Sequence, residues 1–358
     1  MKDSPTSKMA DVLTPIWQHV LQLSSVSVDD NFFDLGGDSS LALELFNEIA
    51  QACGQELPPV MIYHAPTIAS LAALLEGPTE LRFPPLVLLK PGAEKTPIFI
   101  THGLGGSVID FYQVVKHIQL PHPIYGMQAK GIDGVEEPFE RIEDMAQFYL
   151  DAIKELQPHG PYLLVGFSLG GLVTLEIAQR LCESGEKVAL LAMLDSYPHI
   201  SYLSLGQRLR LTTRLLARRL SAVMKLGMPG ALSYVLRSSQ RPLLISTDRY
   251  RPPNGVLLSP AMQRVRDGAY LALTRYRPSF YGGKIRFVRA EISTEFPDDP
   301  VAVWGNLAEE FEVQTVPGDH LGIMTTHFAS LASVISRFVR QALSSEYAAE
   351  DGALRLLG

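Results

Sequence analysis

The chain has 358 residues, 46% of them hydrophobic, with 31 Lys and Arg against 38 Asp and Glu and a net charge of −7. That length exceeds one average domain and can bury a substantial core, while the acidic balance and the lack of a recognition motif exclude nucleic-acid binding. Cys53 and Cys182 stand far apart and outside metal-ligand spacing, so no metal site and two buried free thiols in a reducing cytosol are expected. The start Met1-Lys2-Asp3-Ser4 has no signal-peptide core and no stretch is apolar enough to span a bilayer, which predicts a cytoplasmic protein without stable membrane association.

In chain order, the apolar pairs Ile16-Trp17 and Val20-Leu21 come first. Asp34-Leu35-Gly36-Gly37-Asp38-Ser39-Ser40 then leads into Leu41-Ala42-Leu43-Glu44-Leu45-Phe46, so a glycine turn delivers a serine to the start of an apolar helix. Such a start offers unpaired N–H groups and the positive end of the helix dipole, and it tolerates a covalently attached phosphodiester on Ser39. Capping by Asp38 and Ser39 is the commoner use of these residue types, but capping alone leaves the surrounding pattern unexplained. Glu76 to Pro85 reads as a linker broken by glycine and proline.

Beyond the linker, strands alternate with helical patterns. Leu86 to Leu89, Pro97 to Thr101, Ile124 to Met127, Leu163 to Phe167, Val188 to Leu194, Ile285 to Val288 and Val313 to Val316 are the expected strands. Ile142, Met145, Tyr149, Ile153 and Leu156 recur at helical spacing between the third and fourth. The expected architecture is an α/β sandwich with a mostly parallel sheet.

The chemistry collects at strand ends. Gly166-Phe167-Ser168-Leu169-Gly170 joins an apolar strand to a helical pattern, the context of a nucleophile elbow. Asp195 and His320 each follow a strand's carboxyl end, in the order Ser, Asp, His expected of an α/β-hydrolase. His320 would take the proton of Ser168, with Asp195 fixing its tautomer. Asp319 is the rival acid, ranked lower because a neighbour on the same loop rarely reaches the imidazole nitrogen remote from serine. His102 in Thr101-His102-Gly103-Leu104-Gly105-Gly106-Ser107 reads as closing that loop, and the N–H groups of Leu104 and Leu169 are the candidate oxyanion hole.

Charge is divided unevenly. Residues 1–80 carry two Lys or Arg against eleven Asp or Glu, a net charge of −9, and the rest of the chain is +2. Residues 201–260 hold ten Lys or Arg and only Asp248, a net charge of +9. Leu209, Leu216, Leu220 and Val223 fall on one helical face there, with Arg210, Arg214 and Arg218 opposite. Opposite fields of this kind favour docking of the two halves.

Residues 8 to 76 resemble the peptidyl or acyl carrier domains of nonribosomal peptide and polyketide synthetases, through Ile16-Trp17, Phe32 to Ser39 and Ala65 to Ala72. From Leu86 to Ala342 the chain is similar to the type I thioesterase domains that end such assembly lines. The matching stretches include Tyr125-Gly126-Met127-Gln128-Ala129-Lys130-Gly131, the elbow, Leu194-Asp195-Ser196-Tyr197, Tyr276-Arg277-Pro278 and Val316-Pro317-Gly318-Asp319-His320. The resemblance implies a small helical-bundle carrier domain (1–76), a linker (77–85), an α/β-hydrolase thioesterase domain (86–345) with a helical lid at about 200–262, and a flexible tail (346–358). It puts 4'-phosphopantetheine on Ser39 rather than Ser40 and the triad on Ser168, Asp195 and His320, with the apolar lid face lining an acyl cavity. A phosphopantetheinyl transferase, an upstream synthetase or loading enzyme and an acyl or peptidyl thioester are the implied partners. The implied activity is release of the carrier-bound chain by hydrolysis or macrocyclisation. A carrier scaffold with a docking-only hydrolase fold, or acyl transfer to an external acceptor, are the alternatives.

Overall fold

The computed structural model describes residues 8–55, 57–63, 65–77, 84–225, 259–293, 296–297 and 299–356. The first unit is a helical bundle of α1 (Lys8–Leu21), α2 (Ser39–Cys53) and α3 (Ile68–Glu76), with a short 3-10 turn at Pro59–Tyr63. Thr67 and Ser70 start α3 with a capping box, each side chain bonding the other's backbone N–H. The apolar stripes of the three helices bury Leu13, Trp17, Leu45, Ile49 and Leu71, and Phe32 fills the centre edge-on to Trp17 at 5.3 Å.

The second unit is built on a seven-stranded sheet: β1 (Leu86–Lys90), β2 (Ile98–Thr101), β3 (Ile124–Met127), β4 (Tyr162–Phe167), β5 (Val188–Leu194), β6 (Tyr281–Ala290) and β7 (Ala308–Val316). Their spatial order is β1-β3-β2-β4-β5-β6-β7, with only β1 antiparallel to its neighbour. The central strands are buried on both faces, and so read as continuous apolar runs. One face carries α5 (Ile142–Leu156) and α6 (Leu169–Glu183), the other α4 (Tyr112–His117) and the C-terminal helix α11 (Phe328–Leu356). The remaining helices are α7 (Leu205–Lys225), α8 (Pro260–Arg275), α9 (Pro300–Trp304) and α10 (Gly322–Thr325).

Several expectations need correction. β6 and β7 are longer than their apolar cores, because Lys284 pairs with Glu310 and Glu312 and Arg286 with Glu312 across the ladder. These cross-strand charges extend pairing without hydrophobic alternation. Leu156 is exposed at the end of α5. On α7 the inward face is not the expected one: Leu209 and Leu216 are exposed, Leu211 is buried and Arg214 is half-buried. The side chains of Arg218, Leu220 and Val223 lie outside the described residues. Cys182 is exposed on α6 and Cys53 is half-buried, so the pair are not two buried thiols. In place of a tail from 346, the α11 backbone stays helical through Leu356, over a stretch rich in the helix formers Ala, Glu and Leu. No helix among the described residues is long and apolar enough to cross a membrane.

The two units meet through apolar and aromatic contacts. Phe33 of the bundle stacks on Tyr112 of α4 at 4.2 Å and 17°, and Tyr63 leans on both rings. Ile109, just before α4, is buried in the bundle's own core cluster. A second contact packs Leu43 of α2 with Ile132, Met262 and Val265.

Candidate active site

β4 ends at Phe167 and α6 starts at Leu169, so Ser168 is the entire turn between them. Its φ of 55° and ψ of −120° are sparsely populated for a residue with a side chain, a strain of about 1–3 kcal/mol that the surroundings must hold. They do so with three hydrogen bonds. The Ser168 N–H donates to Leu194 O at 2.9 Å, and Ser168 O accepts from Gly171 N at 3.1 Å and from the Ser196 hydroxyl at 2.5 Å. The flanking glycines are required by close approach: a Cβ on Gly166 would lie 2.2 Å from Gly170 O, and one on Gly170 2.4 Å from His102 O.

Asp195 leaves β5 at a φ of 44° and is anchored by β6, its N–H donating to Val288 O at 2.7 Å and its Oδ1 accepting from Ala290 N at 3.2 Å. That leaves Oδ2 to accept from His320 Nδ1 at 2.8 Å, while His320 Nε2 lies 3.1 Å from Ser168 Oγ. A proton on Nδ1, held by the carboxylate, makes Nε2 the lone-pair nitrogen facing the serine hydroxyl. The imidazole is walled by Phe167 at 4.7 Å and 22° and by Phe296 at 4.7 Å and 53°. Asp319 is engaged elsewhere: its Oδ1 accepts from Gly322 N at 2.8 Å, at the start of α10.

The loop after β2 borders the serine, since a Cβ on Gly103 would sit 3.6 Å from Ser168 Cβ. Leu169 opens α6, so its N–H belongs to the first turn, which has no intrahelical acceptor. Leu104 lies on the bordering loop, whose course is pinned by Gln128: its amide donates to Gly106 O at 3.0 Å and accepts from Val108 N at 3.3 Å. His102 is fully buried, donating to Gly103 O at 2.6 Å through Nδ1 and accepting from the Tyr149 hydroxyl at 2.8 Å through Nε2. Burial lowers its pKa to about 4, so it is a neutral loop-closing group.

Sequence reasoning missed the supports of this centre. Ser196 buttresses the serine turn, Trp304 Nε1 donates to Ser196 O at 3.0 Å, and Phe296 covers the imidazole. Adjacency to Asp195 was the one sequence signal for Ser196; Trp304 and Phe296 come from distant segments with none.

Ser39 is separated from this centre in sequence and opens α2. Asp38 is the N-cap, its Oδ1 accepting from Ser40 N and Leu41 N, both at 2.9 Å. The capping position thus belongs to Asp38, and the first helical position to a serine. Gly36 has a φ of 95°, and a Cβ on Gly37 would lie 2.3 Å from the Phe32 ring, so the glycine turn is required to seat that start. A hydroxyl residue at the positive end of a helix fits covalent attachment of a phosphodiester. Among the described residues no group of His, Cys, Asp and Glu could hold a metal ion.

Residues 11–75 match the family model of the phosphopantetheine attachment site, and residues 96–229 match that of the thioesterase domain. The second match includes Ser168 and Asp195 and ends before His320. A dimodular nonribosomal peptide synthase of Bacillus subtilis is 41% identical over 196 residues, which are 54% of this chain and 8% of that protein. Malpibaldin synthetase of Mortierella alpina is 29% identical over 292 residues, 80% of this chain and 5% of that one. The chain therefore spans less than a tenth of the length of these relatives. A holo four-domain nonribosomal peptide synthetase, solved with AMP and glycine, shares the fold with a TM-score of 0.57 at 23% identity, covering 94% of this chain and 26% of that one.

Proposed function

Because this chain joins a phosphopantetheine-binding carrier domain to a thioesterase domain of the nonribosomal peptide synthetase kind, we propose that it releases an acyl or peptidyl chain carried on Ser39 by way of an ester on Ser168. The observation that carries this reading is the relay of Ser168, His320 and Asp195 at 3.1 and 2.8 Å. A serine hydroxyl is a weak nucleophile until a positioned base takes its proton.

The carrier's cofactor is covalent 4'-phosphopantetheine, whose thiol holds the chain as a reactive thioester. It calls for modification by a phosphopantetheinyl transferase and for an upstream synthetase module. Ser168 Oγ attacks the thioester carbonyl as its proton passes to His320 Nε2, and Asp195 stabilises the imidazolium. The N–H groups of Leu104 and Leu169 receive the oxyanion, and loss of one such donor costs about 3 kcal/mol of transition-state stabilisation. His320 returns the proton to the departing sulfur. It then takes a proton from water, or from a nucleophile on the chain itself, as that group attacks the ester carbonyl, and returns it to Ser168 Oγ as the ester bond breaks.

Delivery is supported by the Leu43 contact. Ser39 lies one helical turn before Leu43, whose partner Val265 abuts Gly106 on the loop that borders Ser168. The attachment helix and the oxyanion loop therefore share a neighbour on one side of the thioesterase.

Peptide mapping after treatment with a phosphopantetheinyl transferase and an acyl-coenzyme A tests the assignment. A single arm on the peptide containing Ser39, absent from Ser39→Ala, is the expected result. Full modification of Ser39→Ala would move the site to Ser40 and overturn it.

A further inference from the structure

We infer that Arg214 is a positioning residue that couples the seating of helix α7 to the alignment of His320. The reasoning rests on His320 being the base proposed above.

The Arg214 guanidinium leaves α7 and donates through Nη2 to the Phe296 carbonyl and to Ser293 Oγ, the latter at 3.1 Å. The Ser293 hydroxyl donates to the same Phe296 carbonyl at 2.7 Å. Two bonded groups, the guanidinium and the hydroxyl, thus fix the backbone at Phe296. The Phe296 ring stacks on buried Tyr197 at 5.3 Å and 13° and lies against His320 at 4.7 Å. Phe167 also stacks on the imidazole, at 4.7 Å and 22°.

An imidazole that must hold a carboxylate at one nitrogen and a hydroxyl at the other tolerates little rotation, because swinging the ring toward either partner lengthens the other bond. Phe167 belongs to the rigid sheet, so that wall is fixed. Phe296 lies between β6 and α9 in the chain, and its place depends on the arginine. When α7 is seated, the loop carbonyl is captured and the second wall stands; when α7 lifts, the wall is released. Seating α7 and aligning the base become one event. This assigns Arg214 a duty within the thioesterase in place of steering the acidic carrier.

The test uses the full chain and a small soluble acyl thioester, which reaches Ser168 without carrier delivery. Arg214→Met is expected to lower kcat about ten- to a hundredfold, the scale of an ångström-sized misplacement, with KM changed less than threefold. The ring-proton NMR signals of His320, displaced in the wild type by the Phe296 ring current, should move toward their positions in Phe296→Leu. Arg214→Lys keeps the charge and a multiply donating nitrogen on a shorter side chain, so it should fall between wild type and Arg214→Met. If Arg214→Met does not fold, the lysine variant decides: a moved His320 signal supports the coupling and an unmoved one overturns it. Wild-type kcat and His320 signals in folded Arg214→Met also overturn it. Retained activity in His320→Ala would instead remove the base assignment, leaving the NMR shift to report on the Arg214 contact alone.

Discussion

The strand-end centre around Ser168 and the seam between the two units are built from opposite materials. At the centre directional hydrogen bonds place the nucleophile and the acid: Asp195 through two bonds to β6, Ser168 through bonds to β5, to the Ser196 hydroxyl and to α6. At the seam Phe33, Tyr63 and Tyr112 meet ring to ring, and the Tyr63 hydroxyl is buried without a partner among the described residues. Proton transfer needs fixed distances near 3 Å, which directional hydrogen bonds and strained turns supply. The proposed delivery needs contact that releases, which non-directional apolar contact with an unpartnered buried hydroxyl would supply.

Substitutions at the centre should break this comparison most severely. Ser168→Ala or His320→Ala is expected to lower turnover on a soluble thioester by on the order of 10⁴- to 10⁶-fold, and Asp195→Asn by about 10⁴-fold. Asp319→Asn should cost far less, since that carboxylate only caps α10. Steady-state kinetics of the four variants check the ranking; a more damaging Asp319→Asn would reassign the acid.

An intermediate effect is expected from His102. In the folded chain its imidazole stays neutral down to about pH 4, whereas in the unfolded chain it takes a proton below its ordinary value of 6.5. Between these values the unfolded state binds more protons, so stability falls as pH falls. The contribution is complete above 6.5 and its loss reaches about 3 kcal/mol near pH 4. Thermal unfolding of His102→Gln should show a shallower loss than wild type across that window; parallel curves would mean the imidazole is not held neutral.

The seam should give the smallest and most reversible effects. Tyr112→Ala removes a ring stack worth about 1 kcal/mol beyond its buried area and should separate the units, while soluble thioesters are turned over at the wild-type rate. Tyr63→Phe removes the unpartnered hydroxyl and should favour the docked state. Small-angle scattering of the unmodified chain reads both changes. Raising salt should leave docking nearly unchanged, because apolar contacts are not screened, whereas a seam held by the charge asymmetry would open.

Local pattern made much of this legible. The central strands could be read because buried parallel strands are continuous apolar runs, and Ser168 and Asp195 because each follows such a run, whereas His320 follows the short apolar end of a charged edge strand. Distances in space were not legible: nothing near Phe296 or Arg214 in the sequence points to His320, and the charge sums for residues 1–80 and 201–260 say nothing of rings that stack. The α7 assignment failed for a related reason. Counting leucines gives one apolar face, but the inward face carries Leu211 and also Arg214, whose partners Ser293 and Phe296 lie some eighty residues away.

The central claim, passage of an acyl group from Ser39 to Ser168 within the chain, is tested most directly by intact-protein mass spectrometry after phosphopantetheinylation and acyl loading. In the wild type the acyl mass should disappear while the arm remains. In Ser168→Ala loading should be equal and the acyl mass should persist, decaying only at the rate of a thioester in buffer. Equal rates of loss from the two proteins would contradict the account, since the acyl group would then be leaving without Ser168.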